Sequence, residues 1–235
     1  FEDGSRVSPD IVVGADGIGS VVREAVAPGV EPRSLDAGVY RAVTTTDAAT
    51  RPVGFEVWGT GTYTGGAPID DDRFYWFATA PERPEQGAVD AARLRSAYGA
   101  YPPPIPSIVA SLTDEDIITT GLADLPPLDR WSRGAVVLAG DAAHAMLPFA
   151  GQGAAQAVED GLVLADAIAG DGDPSTAFER YEAERKPRAD RVRDESHALG
   201  RTGTMRSRVG CWARNAALRA LPGALFRRFR RRRVA

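Results

Sequence analysis

Two short apolar runs, each closed by a turn that pairs glycine with aspartate, frame the chain. Residues 10–13 (DIVV) stop at GADG, and residues 135–140 (AVVLAG) run directly into DAAH. A brief β-branched run that halts on Gly and Asp reads as a buried strand reaching its turn. A helix is expected after the first strand, through SVVREAV. Between the two runs the texture changes. YRAVTTT, GFEVWG and DRFYWFATA alternate apolar or aromatic with other positions and are separated by Gly, Pro and Asp, so residues 37–80 predict an antiparallel sheet. Helices are expected over residues 89–99 and 107–112, on either side of the turn YPPPIP. DIITTGLADL reads as the last strand of that sheet.

Further along, Ala154, Val158, Leu162, Ala165 and Ile168 recur at the spacing of one helix face, and Gly170 stands where that helix should stop. Asp173-Pro174 then offers an N-cap and a first-turn proline to a charged helix through ERYEAERKPRADRVRDESHAL, which Pro187 is expected to bend. This organisation gives a first segment at 1–36, a sheet domain at 37–125, a return to the first fold at 126–170, and C-terminal helices with a basic tail at 171–235. No internal repeat is present.

Composition narrows the class. The 235 residues are 43% hydrophobic and 26% charged, a globular balance with room for one large domain or two small ones. Cys211 is the single cysteine, so no disulfide closes within the chain, and His144 and His197 alone make no zinc cluster. No metal is expected. No run of 18 apolar residues is present, so no transmembrane segment is expected and the chain is read as cytoplasmic. The net charge of -4 conceals an asymmetry: residues 201–235 carry eleven arginines and no acid, leaving 17 bases against 32 acids in residues 1–200. Such an acidic body would repel nucleic acid, and none is expected as a partner. The tail ending in RRFRRRR is the one polyanion-facing feature; it is read as a solvated terminus of open function.

Several motifs carry or exclude chemistry. GTGTYTGG (residues 59–66) offers Gly-x-Gly, but APIDDD and another strand follow it instead of a helix, so it reads as a hairpin turn. No GxSxG elbow and no Walker loop is present, which leaves serine hydrolase and P-loop ATPase without support. An aspartate just past a buried strand can accept hydrogen bonds from a sugar-like diol at the mouth of an α/β sheet, and Asp141 fits that role. Capping of the next helix is the alternative for Asp141 and for Asp16. In PFAGQGAAQ, Gly151 and Gly153 allow close approach of backbone to a ligand. The helix beginning near Gln152 would aim N–H groups and partial positive charge at an anion. A plain glycine-rich helix entry is the other reading.

GADGIGSVVR (residues 14–23) together with LAGDAAHAMLPFAGQGAAQAVEDGLVLADAI (residues 138–168) resembles the DG and GD motifs of the FAD-dependent aromatic monooxygenases related to para-hydroxybenzoate hydroxylase. The texture is nearest to salicylate-hydroxylase-like members. The motif spacing, the PPLDRWSRG lead-in and the YEAERKPRADRV helix also fit, so the resemblance covers nearly the whole chain. It implies an α/β (α+β) fold: the C-terminal portion of a FAD/NAD(P)-binding Rossmann-like domain, with an inserted antiparallel-sheet substrate domain and C-terminal helices. It further implies that Asp141, with Gly140, holds a ribityl hydroxyl of FAD, and that Asp16 and Gly17 lie by the pyrophosphate and serve NAD(P)H. Gly151, Gln152 and Gly153 would face the flavin pyrimidine, which is anionic when reduced, and Pro148 would lie between flavin and substrate. Arg41 resembles an arginine at the substrate or flavin edge, where it could pair a phenolate or carboxylate; an exposed strand arginine is the alternative. Trp58, Tyr75, Trp76 and Phe77 would wall an apolar pocket if one strand face points at the flavin, and are otherwise core. His144 is expected to pack and cap, and no side chain is named as catalytic.

The implied activity is hydroxylation of an aromatic or similar small apolar substrate with NAD(P)H and O2, FAD carrying the chemistry. A flavin-dependent reductase, halogenase or epoxidase is the alternative on the same fold. A halogenase should show a lysine near its substrate, and Lys186, in the C-terminal helix, is the only lysine. One feature of the family is missing: a βαβ unit bearing GxGxxG and an acidic residue for the ADP half of FAD. With Phe1 in place of an initiating methionine, the chain is expected to be the C-terminal portion of a longer protein, or else a truncated, non-catalytic remnant.

Overall fold

The computed structural model describes residues 3–45, 54–80, 90–170 and 172–220. The last residue of YRAVTTT, the start of the helix expected at 89 and the arginine-rich tail lie outside them. The chain divides into two compact units, residues 1–35 with 122–200 and residues 36–121 with 201–235. Its elements in order are β1 (Val12–Gly14), α1 (Arg23–Val26), β2 (Arg33–Thr45), β3 (Phe55–Trp58), β4 (Tyr63–Pro68), β5 (Arg73–Ala80), α2 (Ala91–Tyr98) and α3 (Ile105–Ser111). Then come β6 (Ile117–Asp124), β7 (Ser132–Arg133), β8 (Val136–Leu138), α4 (Asp141–His144), α5 (Gly153–Gly170), α6 (Pro174–Gly203) and α7 (Arg208–Ala220).

In the first unit the two apolar runs become neighbours. β1 pairs in parallel with β8, Val12 opposite Val136 and Gly14 opposite Leu138, and β7 adds to β8 antiparallel. Val137 and Leu138 are fully buried in a core that includes Leu125, Trp131, Leu164, Phe178 and Tyr181. The helix expected through SVVREAV is only four residues long. Its first residues are instead turned around the Asp16 carboxylate, which accepts from Val21 N at 2.8 Å and Val22 N at 3.2 Å.

α5 begins and ends near its expected bounds, but its buried side is another one. Val158 and Leu162 are 65% and 70% exposed, whereas Gln156, Asp160, Leu164 and Ala167 are buried. Two polar side chains occupy the inward face because partners wait there to satisfy them. α6 runs unbroken through Pro187 for 30 residues, capped by Asp173, whose carboxylate accepts from Thr176 N at 3.0 Å.

The second unit carries a five-stranded sheet in the order β3-β4-β5-β2-β6. Along β5 the side chains alternate as a one-sided sheet requires: Phe74, Trp76 and Ala78 are buried against α2 and α3, beside Leu94, Tyr98, Ile105 and Val109. GTGTYTGG does form a hairpin turn, with Gly59 N donating to Thr62 O at 2.8 Å and Gly61 at φ +76. α2 starts after Asp90, whose carboxylate accepts from Ala92 N and Arg93 N, and α3 starts at Ile105, two residues before the expected helix.

Candidate functional site

Parallel pairing in register brings the C-terminal ends of β1 and β8 to one edge, and Ala139 N donates to Gly14 O at 2.9 Å as the two strands leave the sheet. The turns that follow, Asp16-Gly17 and Gly140-Asp141, therefore emerge side by side, where open α/β sheets take their ligands. Gly140 stands at φ 59, ψ -141 and Gly17 at φ +82, conformations that L side chains rarely adopt. A Cβ at Gly140 would also come within 3.2 Å of the Ala157 Cβ on α5.

The two aspartates differ in what they do. Asp16 is occupied by the chain itself: besides Val21 N and Val22 N it accepts from Ser20 Oγ at 2.5 Å, and Ser20 Oγ accepts from Arg23 N at 2.9 Å. Burial raises the Asp16 carboxyl's pKa, but the hydrogen bonds from Ser20 and the two backbone N–H groups outweigh it and leave it lowered. Asp141, in contrast, is exposed at the first position of α4 and accepts no hydrogen bond from the described residues. The N-cap of α4 is Gly140, with no side-chain cap.

Beneath this edge lies a polar network that the sequence reading did not anticipate. Asp160, fully buried on α5, accepts from Gly140 N at 2.8 Å and pairs with His144 Nε2 at 2.6 Å through one oxygen, and accepts from Arg185 Nε at 2.8 Å through the other. Arg185 also reaches Gln156 O and Gln156 Oε1, and Glu159 beyond them. Burial pushes the Asp160 carboxyl up, yet His144, Arg185 and the Gly140 N–H together hold it below its ordinary value. His144 packs on Trp131 at a ring distance of 5.0 Å, as expected for a packing residue, and its Nδ1 is buried without a partner among the described residues. A second clamp is Arg23, buried and served only by carbonyls: Nη2 donates to Ile18 O at 2.7 Å, Nη1 to Ala142 O at 3.2 Å and Nε to Val30 O at 3.3 Å. It ties the first turn to α4.

Pro148 opens a single 3-10 turn, residues 148–150, closed by Gly151 in the left-handed conformation at φ 66. α5 starts two residues later at Gly153, so Gln152 directly precedes its first turn. Ser196 on α6 holds the 148–150 turn by donating to Leu147 O at 2.5 Å and accepting from Ala150 N at 3.2 Å. Gly200, one helical turn on, leaves room for the Phe149 ring, which a Cβ there would meet at 2.6 Å. Neither residue stood out in the sequence; the four-residue spacing of two small residues on a charged helix was the available signal.

Arg41 belongs to the second unit. It lies on β2 opposite Phe77, half buried, with no polar partner among the described residues. On that sheet face Trp58, Tyr63, Phe77 and Tyr75 form a continuous aromatic row, successive centroids 6.1, 5.4 and 6.2 Å apart. Trp76 is excluded from it because its strand position points it the other way, into the core. Lys186 is paired with Asp190 on α6 at 2.8 Å, in the first unit.

A family model described as FAD binding domain matches residues 2–196. The chain belongs to this family. The chain is 35% identical over 224 residues to an aurachin C monooxygenase/isomerase of Stigmatella aurantiaca, covering 93% of this chain and 58% of that protein. It is 34% identical to the 2-heptyl-3-hydroxy-4(1H)-quinolone synthase of Pseudomonas aeruginosa, covering 99% and 62%. Among solved structures, Klebsiella pneumoniae HpxO complexed with FAD and uric acid superposes with a TM-score of 0.84 at 28% identity, over 96% of this chain and 60% of that one. A salicylate hydroxylase substrate complex shares the fold, with a TM-score of 0.73 at 23% identity over 88% and 58%. The chain thus spans about three fifths of the length of these relatives.

Proposed function

We propose that this chain provides the ribityl and pyrimidine side of an FAD site, together with a substrate-facing sheet, in a monooxygenase that hydroxylates a planar aromatic or heteroaromatic ring with NAD(P)H and O2. The observation that carries the reading is Asp141: an exposed carboxylate without a hydrogen-bond partner among the described residues, at the end of a parallel strand, on a turn that a glycine and a buried network hold in place. A diol is the natural ligand of such a carboxylate, and the ribityl chain supplies one. Gly140 brings the turn close to the cofactor, and Asp16 with Gly17, on the neighbouring turn, would line the pyrophosphate, Gly17 letting backbone approach it. Gly151, Gln152 and Gly153 lead into α5, whose first-turn N–H groups and partial positive charge would stabilise the anionic pyrimidine of reduced flavin. Bound FAD would supply the redox chemistry and oxygen activation. Pro148 would separate flavin from substrate, and Arg41 with the aromatic row beside it would orient a planar ring and pair an acidic substituent. The names of the relatives, which include quinolone and urate chemistry, favour a nitrogen heterocycle or phenol.

Flavin titration and thermal melting of Asp141→Asn against the unaltered protein, both in a form that also carries the GxGxxG unit, test this. Asn keeps the shape, so melting should barely change, while loss of a charge-assisted hydrogen bond, about 1.5–3 kcal/mol, should weaken FAD binding about ten- to a hundredfold. Equal FAD affinity in the two proteins would remove the assignment.

A further inference from the structure

α7 is held to the second unit by one face and turns a different one to solvent. Cys211 and Arg214 are buried; Arg214 donates to Thr202 O, Gly203 O, Trp58 O and Gly59 O, and its guanidinium lies 5.7 Å over the Trp58 ring. Five backbone and ring contacts fix how the helix is rotated. The opposite side, at helical spacing, consists of Val209, Trp212, Ala213, Ala216 and Ala220 and is entirely apolar. Val209 is 77% and Trp212 74% exposed. A tryptophan this exposed on a clamped helix contributes little to the packing of the described residues of its unit.

The charge on α7 itself is of one sign. Arg208 and Arg219 flank it, both exposed, and residues 201–235 hold eleven arginines without an acid, six of them in RRFRRRR. We propose that α7 is a peripheral membrane-binding element that seats Trp212 and Val209 at the interface of an anionic lipid bilayer, with the arginines of the sequence that follows adding electrostatic attraction. An apolar stripe that carries an exposed Trp and is bordered by Arg matches the headgroup boundary, where apolar side chains enter the acyl edge and arginines meet phosphates. The second signal matters, because a short stripe alone binds membranes marginally and a polybasic patch adds to it. The remainder of the chain, 17 bases against 32 acids, carries the opposite balance, so attraction to an anionic surface is confined to residues 201–235. Nucleic acid matches the arginines equally well but gives no use to Val209 and three alanines in line with Trp212. Among the described residues no helix is long and apolar enough to cross a membrane, so the element lies on the surface.

The test is co-sedimentation of the 235-residue chain with vesicles of phosphatidylcholine containing phosphatidylglycerol, and with pure phosphatidylcholine, following tryptophan emission. The expected result is binding to the anionic vesicles only, a blue shift of emission, weakening by added salt, and at least a tenfold loss in Trp212→Glu with an unchanged melting temperature. Replacing the six arginines of residues 227–233 by Gln should cost a similar factor. Absence of binding to anionic vesicles, or equal binding by Trp212→Glu, overturns the proposal. So does a dimer that Trp212→Glu dissociates in the absence of vesicle binding, since the stripe then serves a second copy. Tight binding of duplex DNA or RNA that the tail variant loses and Trp212→Glu retains likewise overturns it.

Discussion

Asp160 has no solvent exposure, yet it accepts from a backbone N–H, an imidazole and a guanidinium at once. Removing that carboxylate strands the buried Gly140 N–H and His144 ring without an acceptor and leaves Arg185 only Glu159 as a counter-charge. Asp160→Ala should therefore cost about 3–5 kcal/mol in a urea or thermal unfolding series, far beyond a surface substitution, and should loosen the Gly140 turn that it holds. Arg23→Met should cost about 1.5–3 kcal/mol, because three carbonyls lose a charged donor while the aliphatic stem is kept. Asp124 repeats the theme: buried, it takes Arg33 through both oxygens and His197 Nε2 at 2.6 Å, and these outweigh burial to lower its pKa. Carboxylates lowered in the folded state contribute stability that is present above the unfolded carboxylate range and is lost as pH falls through the folded value. Unfolding free energy measured against pH should thus be level near neutrality and fall below about pH 4, the ordinary Asp value. Double substitution of Asp124 and Asp160 by Asn should flatten that slope.

The same logic sets which face of a helix is inward. On α5 the apolar stripe containing Val158 and Leu162 is exposed, and the inward face carries Gln156 and Asp160 beside Leu164 and Ala167. Leu162→Gln should change stability by no more than about 0.5 kcal/mol, while Leu164→Ala should cost about 2–5 kcal/mol through lost burial and a cavity. Denaturant midpoints of the two variants compared side by side check this; a larger loss in Leu162→Gln would mean that the stripe is covered in solution. In β5 the alternation assigns opposite duties to adjacent aromatics. Trp76→Ala should cost about 3–5 kcal/mol, since Trp76 is wholly buried under α2 and α3, and Tyr75→Ala much less.

Across the whole molecule, the local chemistry was legible in the sequence and the assembly was not. The strands ending in GADG and AGD, the hairpin at residues 59–66, the Asp173 cap and the glycine-rich entry to α5 follow from backbone preferences of a few adjacent residues, and those preferences act wherever the segment lies. The family resemblance read from the same motifs gave the fold class for the same reason: a ligand-binding turn fixes residue types at fixed spacing. Only the tertiary structure decided that β1 and β8, more than a hundred residues apart, pair in parallel register and so set Asp16-Gly17 and Gly140-Asp141 at one edge. It alone joined Gly140, His144, Asp160 and Arg185 into one network, and Ser196 and Gly200 to the turn at Pro148. It also exposed one apolar helix face and buried a charged one, against the simple expectation from hydrophobic spacing. Periodicity records which residues share a face. Which face becomes interior depends on whether groups elsewhere in the chain arrive to satisfy its polar atoms, and that is a property of the folded molecule.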